Sequence, residues 1–201
     1  MKIMQFTILG ASVAAAFAAY GVATAPPKVA EADVSVNEDK AVPIEIVRKE
    51  WTCPGCNYNE QYVLKKLQEK TRISDRNALA TIMGNIKSES NFHPNICEGG
   101  ARIPYSDCRV GGYGLIQWTS VGRYANLGKF ATKYGYDPST LEGQTAYMIN
   151  ESVFQRYLPE FEGNGKTVDQ YMVAAYYWLG WGIKGYRQQY AYDYTKKMVW
   201  S

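Results

Sequence analysis

The chain has 201 residues, 46% hydrophobic and 20% charged, so it can build a core and is not a disordered polyelectrolyte. Its net charge of +3, from 22 basic and 19 acidic residues, is too small to argue for nucleic-acid binding. The single histidine, His93, excludes a multi-histidine metal site and argues against triad chemistry.

In chain order, Lys2 precedes an uncharged run from Ile3 to Pro27, the layout of an export segment. Ala23-Thr24-Ala25 has the small-x-small form of a cleavage site, although Pro26 opposes the cut; Ala16-Phe17-Ala18 offers an earlier one. The run also reaches the roughly 20 residues needed to span a bilayer. Residues 1–25 are thus expected to be a signal peptide or a signal anchor, with membrane contact through residues 3–25. Either way the rest of the chain is exported. Residues 26–50 hold Pro26, Pro27 and Pro43 among six acidic and four basic side chains, the composition of a flexible linker. Residues 51–201 are left as the folded domain.

Four cysteines, Cys53, Cys56, Cys97 and Cys108, suit an oxidising compartment. They allow three pairings. Cys97 and Cys108 flank a short loop, which pairs them and leaves Cys53 with Cys56. A four-cysteine zinc site is the rival, but its second pair is too widely spaced for a zinc knuckle. No metal or cofactor is expected. A redox role for Cys53-Pro54-Gly55-Cys56 lacks a preceding strand.

After Trp51 the helical period dominates. A helix is predicted over Tyr58–Thr71. Ser74 or Asp75 caps the next, in which Leu79, Ile82, Met83 and Ile86 recur at helical spacing and mark core. Pro94 and the glycines through Gly114 predict a long loop, with a small hairpin around Tyr113–Trp118. Val121–Tyr134 follows, stopped by Gly135. Ser139 caps a helix from Thr140 to about Gln155, and Thr167 caps one carrying Val168, Tyr171, Met172, Ala175 and Leu179. The last runs from Tyr186 to Lys197. The fold class is mainly α: helical lobes around a cleft with at most a small β-hairpin.

Three segments carry chemistry. In Ser88-Glu89-Ser90-Asn91-Phe92-His93-Pro94, Glu89 falls at the C-terminal end of a buried helix. Helix-end carbonyls and apolar neighbours disfavour a charged carboxylate there, which suits a general acid. The bland alternative is an exposed helix-end glutamate. In Gly112-Tyr113-Gly114-Leu115-Ile116-Gln117-Trp118, the glycines allow close backbone approach to a ligand, Gln117 can hydrogen-bond and Trp118 can stack on a sugar. The third segment is Ala174-Ala175-Tyr176-Tyr177-Trp178-Leu179-Gly180.

These segments resemble the lysozyme-like peptidoglycan glycosidases, most closely the phage tail lysozyme family. The family pattern Gly-Asn-x-x-x-Glu-Ser-x-Phe-x-Pro, then Gly-x-Gly-Leu-Ile-Gln-Trp, then Arg is matched by Gly84–Pro94, Gly112–Trp118 and Arg123. The resemblance implies a lysozyme-like fold and Glu89 as the acid that protonates the glycosidic oxygen. It implies substrate contacts from Tyr113, Gly114, Gln117, Trp118 and Tyr176. Asp107 has the offset of the water-orienting carboxylate of goose-type lysozymes, with Glu98 as the alternative. The chain has Trp118-Thr119 where those lysozymes carry a further Asp just after the Gln. Tyr177 replaces the Asn of the lytic transglycosylase Tyr-Asn pair. Hydrolysis and transglycosylation, the latter needing one carboxylate, both remain open, as does a non-catalytic glycan-binding scaffold. A Cys/His amidase is disfavoured because His93 precedes Cys97. The implied partners are peptidoglycan glycan strands and phage tail proteins, with no nucleic acid.

Overall fold

The computed structural model describes residues 49–201. The expected export segment and all but the last two residues of the expected linker lie outside the described residues. The described part contains seven α-helices and one two-stranded sheet, so the fold is mainly α, with little β structure. Among the described residues, no helix is long and apolar enough to cross a membrane.

Strand β1 (Trp51–Thr52) pairs antiparallel with β2 (Val199–Trp200), Trp51 opposite Trp200. The main chains of Glu50 and Ser201 continue the ladder with bonds of 2.9 and 3.1 Å. The sheet therefore joins the two ends of the domain, and the Trp51 and Trp200 rings meet edge-on at 5.2 Å. Strands of two residues are too short for an alternation pattern to announce them.

Helix α1 (Tyr58–Lys70) starts on a capping box in which Asn57 and Glu60 satisfy each other's backbone N–H groups. Glu60 is buried, and its other oxygen accepts the Tyr194 hydroxyl. Helix α2 (Arg76–Ser90) is capped by Asp75, which accepts from Asn77 N at 2.7 Å and Ala78 N at 3.2 Å. From Ala78 to Ile86 every residue of α2 is buried, so it is the central helix of the domain rather than a one-sided amphipathic one.

Helix α3 (Ser120–Tyr134) ends at Gly135, whose φ of 73° is the left-handed stop that glycine permits. The single helix expected over 140–155 is instead two, α4 (Leu141–Asn150) and α5 (Ser152–Phe161). The break is Glu151, extended at ψ 132° and buried, with its carboxylate gripped by both arms of Arg123 at 2.6 and 2.7 Å. That ion pair recruits the side chain inward, a constraint invisible in the local pattern. Thr140, not Ser139, caps α4, through its hydroxyl on Gly143 N at 3.1 Å. Ser139 instead accepts from Tyr105 N. Helix α6 (Val168–Leu179) begins on the Thr167–Gln170 capping box, and α7 (Arg187–Lys197) closes the bundle.

α2 packs against both α6 and α7. Its closest approach is at Gly84, where a Cβ would stand 2.4 Å from the Ala191 nitrogen and 2.8 Å from the Arg187 carbonyl oxygen. Only glycine permits α7 to come this close. The approach sets the start of α7 beside the end of α2.

Candidate active site

The C-terminal end of α2 is fixed on three sides. Asn91 and Phe92 both adopt left-handed φ, 49° and 62°, a strained turn for residues with side chains. The surroundings hold it in place. Asn59 Nδ2 donates to the Phe92 carbonyl at 2.9 Å, and the Phe92 ring is fully buried with its edge toward Tyr194. The Ser90 hydroxyl donates to the Leu115 carbonyl at 2.8 Å, which attaches the Gly112–Trp118 segment to the helix end.

Glu89 stands in this frame with its side chain 15% exposed. Its Oε1 accepts from Nη2 of Arg187, itself only 10% exposed at the start of α7. Arg187 Nη1 also donates to the carbonyls of Ile183 and Lys184, at 2.9 and 3.1 Å, and the guanidinium lies 5.3 Å from the Trp181 ring centre. The sequence placed only helix carbonyls and apolar side chains around Glu89, surroundings that disfavour a charged carboxylate; the structure corrects this, because a buried cation is paired with it. Arg187 was missed because it is 98 positions from Glu89. Among the described residues, Glu89 Oε2 has no hydrogen-bond partner.

The Gly112–Trp118 segment serves packing more than sugar contact. Tyr113 and Trp118, expected to face a ligand, are both fully buried. The Tyr113 hydroxyl donates to Ile103 O at 3.0 Å, and the Trp118 ring lies 5.3 Å from Tyr147. No ring face is left to stack on a sugar, so these two expectations are corrected: the large aromatics close the core behind the loop. The expected hairpin is a single antiparallel bridge between Tyr113 and Trp118. Gly114, at φ 75°, has no room for a Cβ because the Gln144 amide lies against it. Gln144 in turn accepts from Leu115 N at 2.8 Å and donates to the carbonyls of Pro94 and Pro138. Gln117 is half-buried, and its Nε2 donates to the carbonyls of Gly114 and Ile96 at 3.1 and 3.3 Å.

Both disulfides form as expected, Cys53 with Cys56 and Cys97 with Cys108. The second closes the loop that carries Asp107, which is exposed on a 3-10 turn (Tyr105–Asp107) and accepts from Ser106 Oγ at 3.0 Å. The turn is backed by the Tyr105 ring stacked 4.2 Å from Tyr124, whose phenol burial pushes up to about 12. Glu98 accepts from Gly112 N at 2.8 Å and braces that loop. Among the described residues, no hydrogen bond or ion pair joins Asp107 or Glu98 to Glu89.

Tyr176 is exposed on α6, as a sugar contact requires. It belongs to an aromatic row that starts at the Arg187 guanidinium. Trp181 lies 4.9 Å from Tyr176, Tyr176 lies 5.2 Å from Tyr177, and Tyr177 stacks on Tyr157 at 5.9 Å. Trp181 and Tyr157 were not singled out from the sequence, although the aromatic density of residues 176–181 was a usable signal.

A buried central helix with Glu89 in its last turn, the Gly112–Trp118 segment bonded to that end and an aromatic row beside it make up the candidate site of this mainly α domain. The family model for phage tail lysozyme matches residues 58–198, and the chain belongs to that family. Its role is therefore lysozyme-like and directed at peptidoglycan. Searches of curated proteins and of solved structures returned no match.

Proposed function

We propose that this protein is a glycosidase that cleaves the β-1,4 bond between N-acetylmuramic acid and N-acetylglucosamine, with Glu89 as general acid. The observation that carries this is the posture of Glu89: one oxygen held by Arg187, the other without a protein partner at the end of a rigid helix. Arg187 holds one oxygen in place, which leaves Oε2 as the atom that would hand a proton to substrate. Proton transfer from Oε2 to the glycosidic oxygen breaks the C–O bond and releases one sugar as an alcohol. Water then adds to the anomeric carbon in the hydrolytic route and gives up one proton to the carboxylate that orients it.

Asp107 is the proposed water-orienting carboxylate, with Gln117 and Tyr176 as glycan contacts. Lytic transglycosylation through the same Glu89 is the second reading. It is favoured by the engagement of Glu98 with its own loop and by the lack of a bond between Asp107 and Glu89. The two disulfides support an exported or virion-borne protein, and we place its action in the cell wall, as a phage lysin or a virion-associated one.

Mass spectrometry of muropeptides released from purified sacculi tests the assignment. Reducing ends are expected for hydrolysis and 1,6-anhydro ends for transglycosylation. No release would leave a glycan-binding scaffold. Glu89→Gln keeps the shape but has no acid proton, so the rate should fall by at least about 10²-fold. Wild-type activity in that variant would end the glycosidase assignment.

A further inference from the structure

Arg187 occupies a costly place. It is buried at the first position of α7, and a buried guanidinium is tolerated only where acceptors meet it. Glu89 Oε1 meets Nη2, the Ile183 and Lys184 carbonyls meet Nη1, and the Trp181 ring lies beside the guanidinium, whereas the buried Nε has no partner among the described residues. Docking of α7 on α2 has a separate source in the Gly84–Ala191 approach and the packing around it. For packing alone, an apolar pair at 89 and 187 would often serve as well as an ion pair.

Resting on the glycosidase reading of Glu89, we propose that Arg187 is a positioning residue for that reaction. It holds Oε1 so that Oε2 faces the glycosidic oxygen. When the proton leaves Oε2 and the C–O bond breaks, the electron pair stays on the carboxylate, and the guanidinium already in place meets that charge. A fixed cation aimed at developing charge costs no reorganisation during the reaction. The same side chain ties down the 180–186 loop through two carbonyls, and that loop carries Trp181 and the exposed Tyr186. One guanidinium thus sets the carboxylate and the start of the aromatic row in a common frame. A lysine cannot reproduce this, because it lacks the planar fork that reaches Oε1 and the loop carbonyls together.

The test is steady-state kinetics on soluble peptidoglycan strands, with thermal melting alongside. Arg187→Ala should lower kcat about 10²-fold while KM stays within about threefold, since misplacing a reacting group costs rate rather than affinity. Millimolar guanidinium ion added to Arg187→Ala should restore kcat at least about tenfold, by refilling the vacated site. Arg187→Lys should fall between the two. Wild-type kcat in Arg187→Ala overturns the proposal, as does a loss confined to KM or a loss of kcat that neither guanidinium ion nor lysine relieves. Should Arg187→Ala fail to fold, Arg187→Lys decides: a reduced kcat at unchanged KM supports the role and a wild-type kcat overturns it. Glu89→Gln run in parallel separates the two claims. Activity in Glu89→Gln removes the glycosidase reading itself, whereas an inactive Glu89→Gln beside a fully active Arg187→Ala removes only the role of Arg187.

Discussion

His93 shows how a residue near the site couples to pH. Burial, and secondarily the charge of Arg102, holds its imidazole below the usual 6.5. The folded chain therefore resists protonation there more than the unfolded chain does. The sign follows from linkage: as pH falls through 6.5, the unfolded state gains a proton that the folded state refuses, and stability drops until the folded pKa is passed. His93→Asn should flatten that part of the stability-against-pH curve, read by urea unfolding at a series of pH values from neutral downward. An unchanged slope would remove the assignment. Asp107 makes a second test at this scale. Asp107→Asn should cost activity nearly as much as Glu89→Gln in an inverting hydrolase, where the two carboxyl groups sit about 6.5–9.5 Å apart around a water. It should cost little in a transglycosylase. The product ends from sacculi decide between the two independently.

At the scale of elements, the site depends on two junctions. The first is the α2–α7 approach. Gly84→Ala forces a methyl to within 2.4 Å of the Ala191 backbone, where no side chain can yield. We expect a loss of about 1–3 kcal/mol from overpacking, together with a fall in activity as α7 shifts and carries Arg187 away from Glu89. Denaturant unfolding and the sacculus assay measure the two effects on one variant. The second junction is the α4–α5 break. Glu151 has a side chain 3% exposed, so Arg123→Ala leaves a buried carboxylate without its partner. Loss of one member of a buried pair costs about 3–5 kcal/mol. The Arg123→Ala/Glu151→Leu double variant should recover much of that, by thermal melting.

At the scale of the whole molecule, two cross-links act on different parts. Cys53–Cys56 closes a tight loop before α1, whereas Cys97–Cys108 clamps the loop carrying Asp107, 11 positions apart. Closing a loop of this size stabilises by about 3 kcal/mol in the chain-entropy model. Most of the large buried side chains lie elsewhere, in α1, α2, α5, α6 and α7. Mild reduction is therefore expected to lower the rate on sacculi before far-UV circular dichroism changes. Simultaneous loss of both signals would show that the clamp holds the fold rather than the loop.

What the sequence determined by itself was local. Capping residues and helical spacing located α2 and α6, and a glycine stop located the end of α3, because caps and periodicity act within a few residues. The short 97–108 spacing selected the disulfide pairing. The paired motifs Gly84–Pro94 and Gly112–Trp118 pointed to the family. Only the tertiary structure decided which aromatics face solvent. Tyr113 and Trp118 look like sugar platforms in a glycine-rich string, yet a fold of this size buries large rings wherever the loop turns back on its core. Only the tertiary structure placed Arg187 on Glu89, split the helix at Glu151 and paired Trp51 with Trp200. Each of these joins residues far apart in the chain, and such contacts are set by which faces the packed helices bring together rather than by any pattern along the sequence.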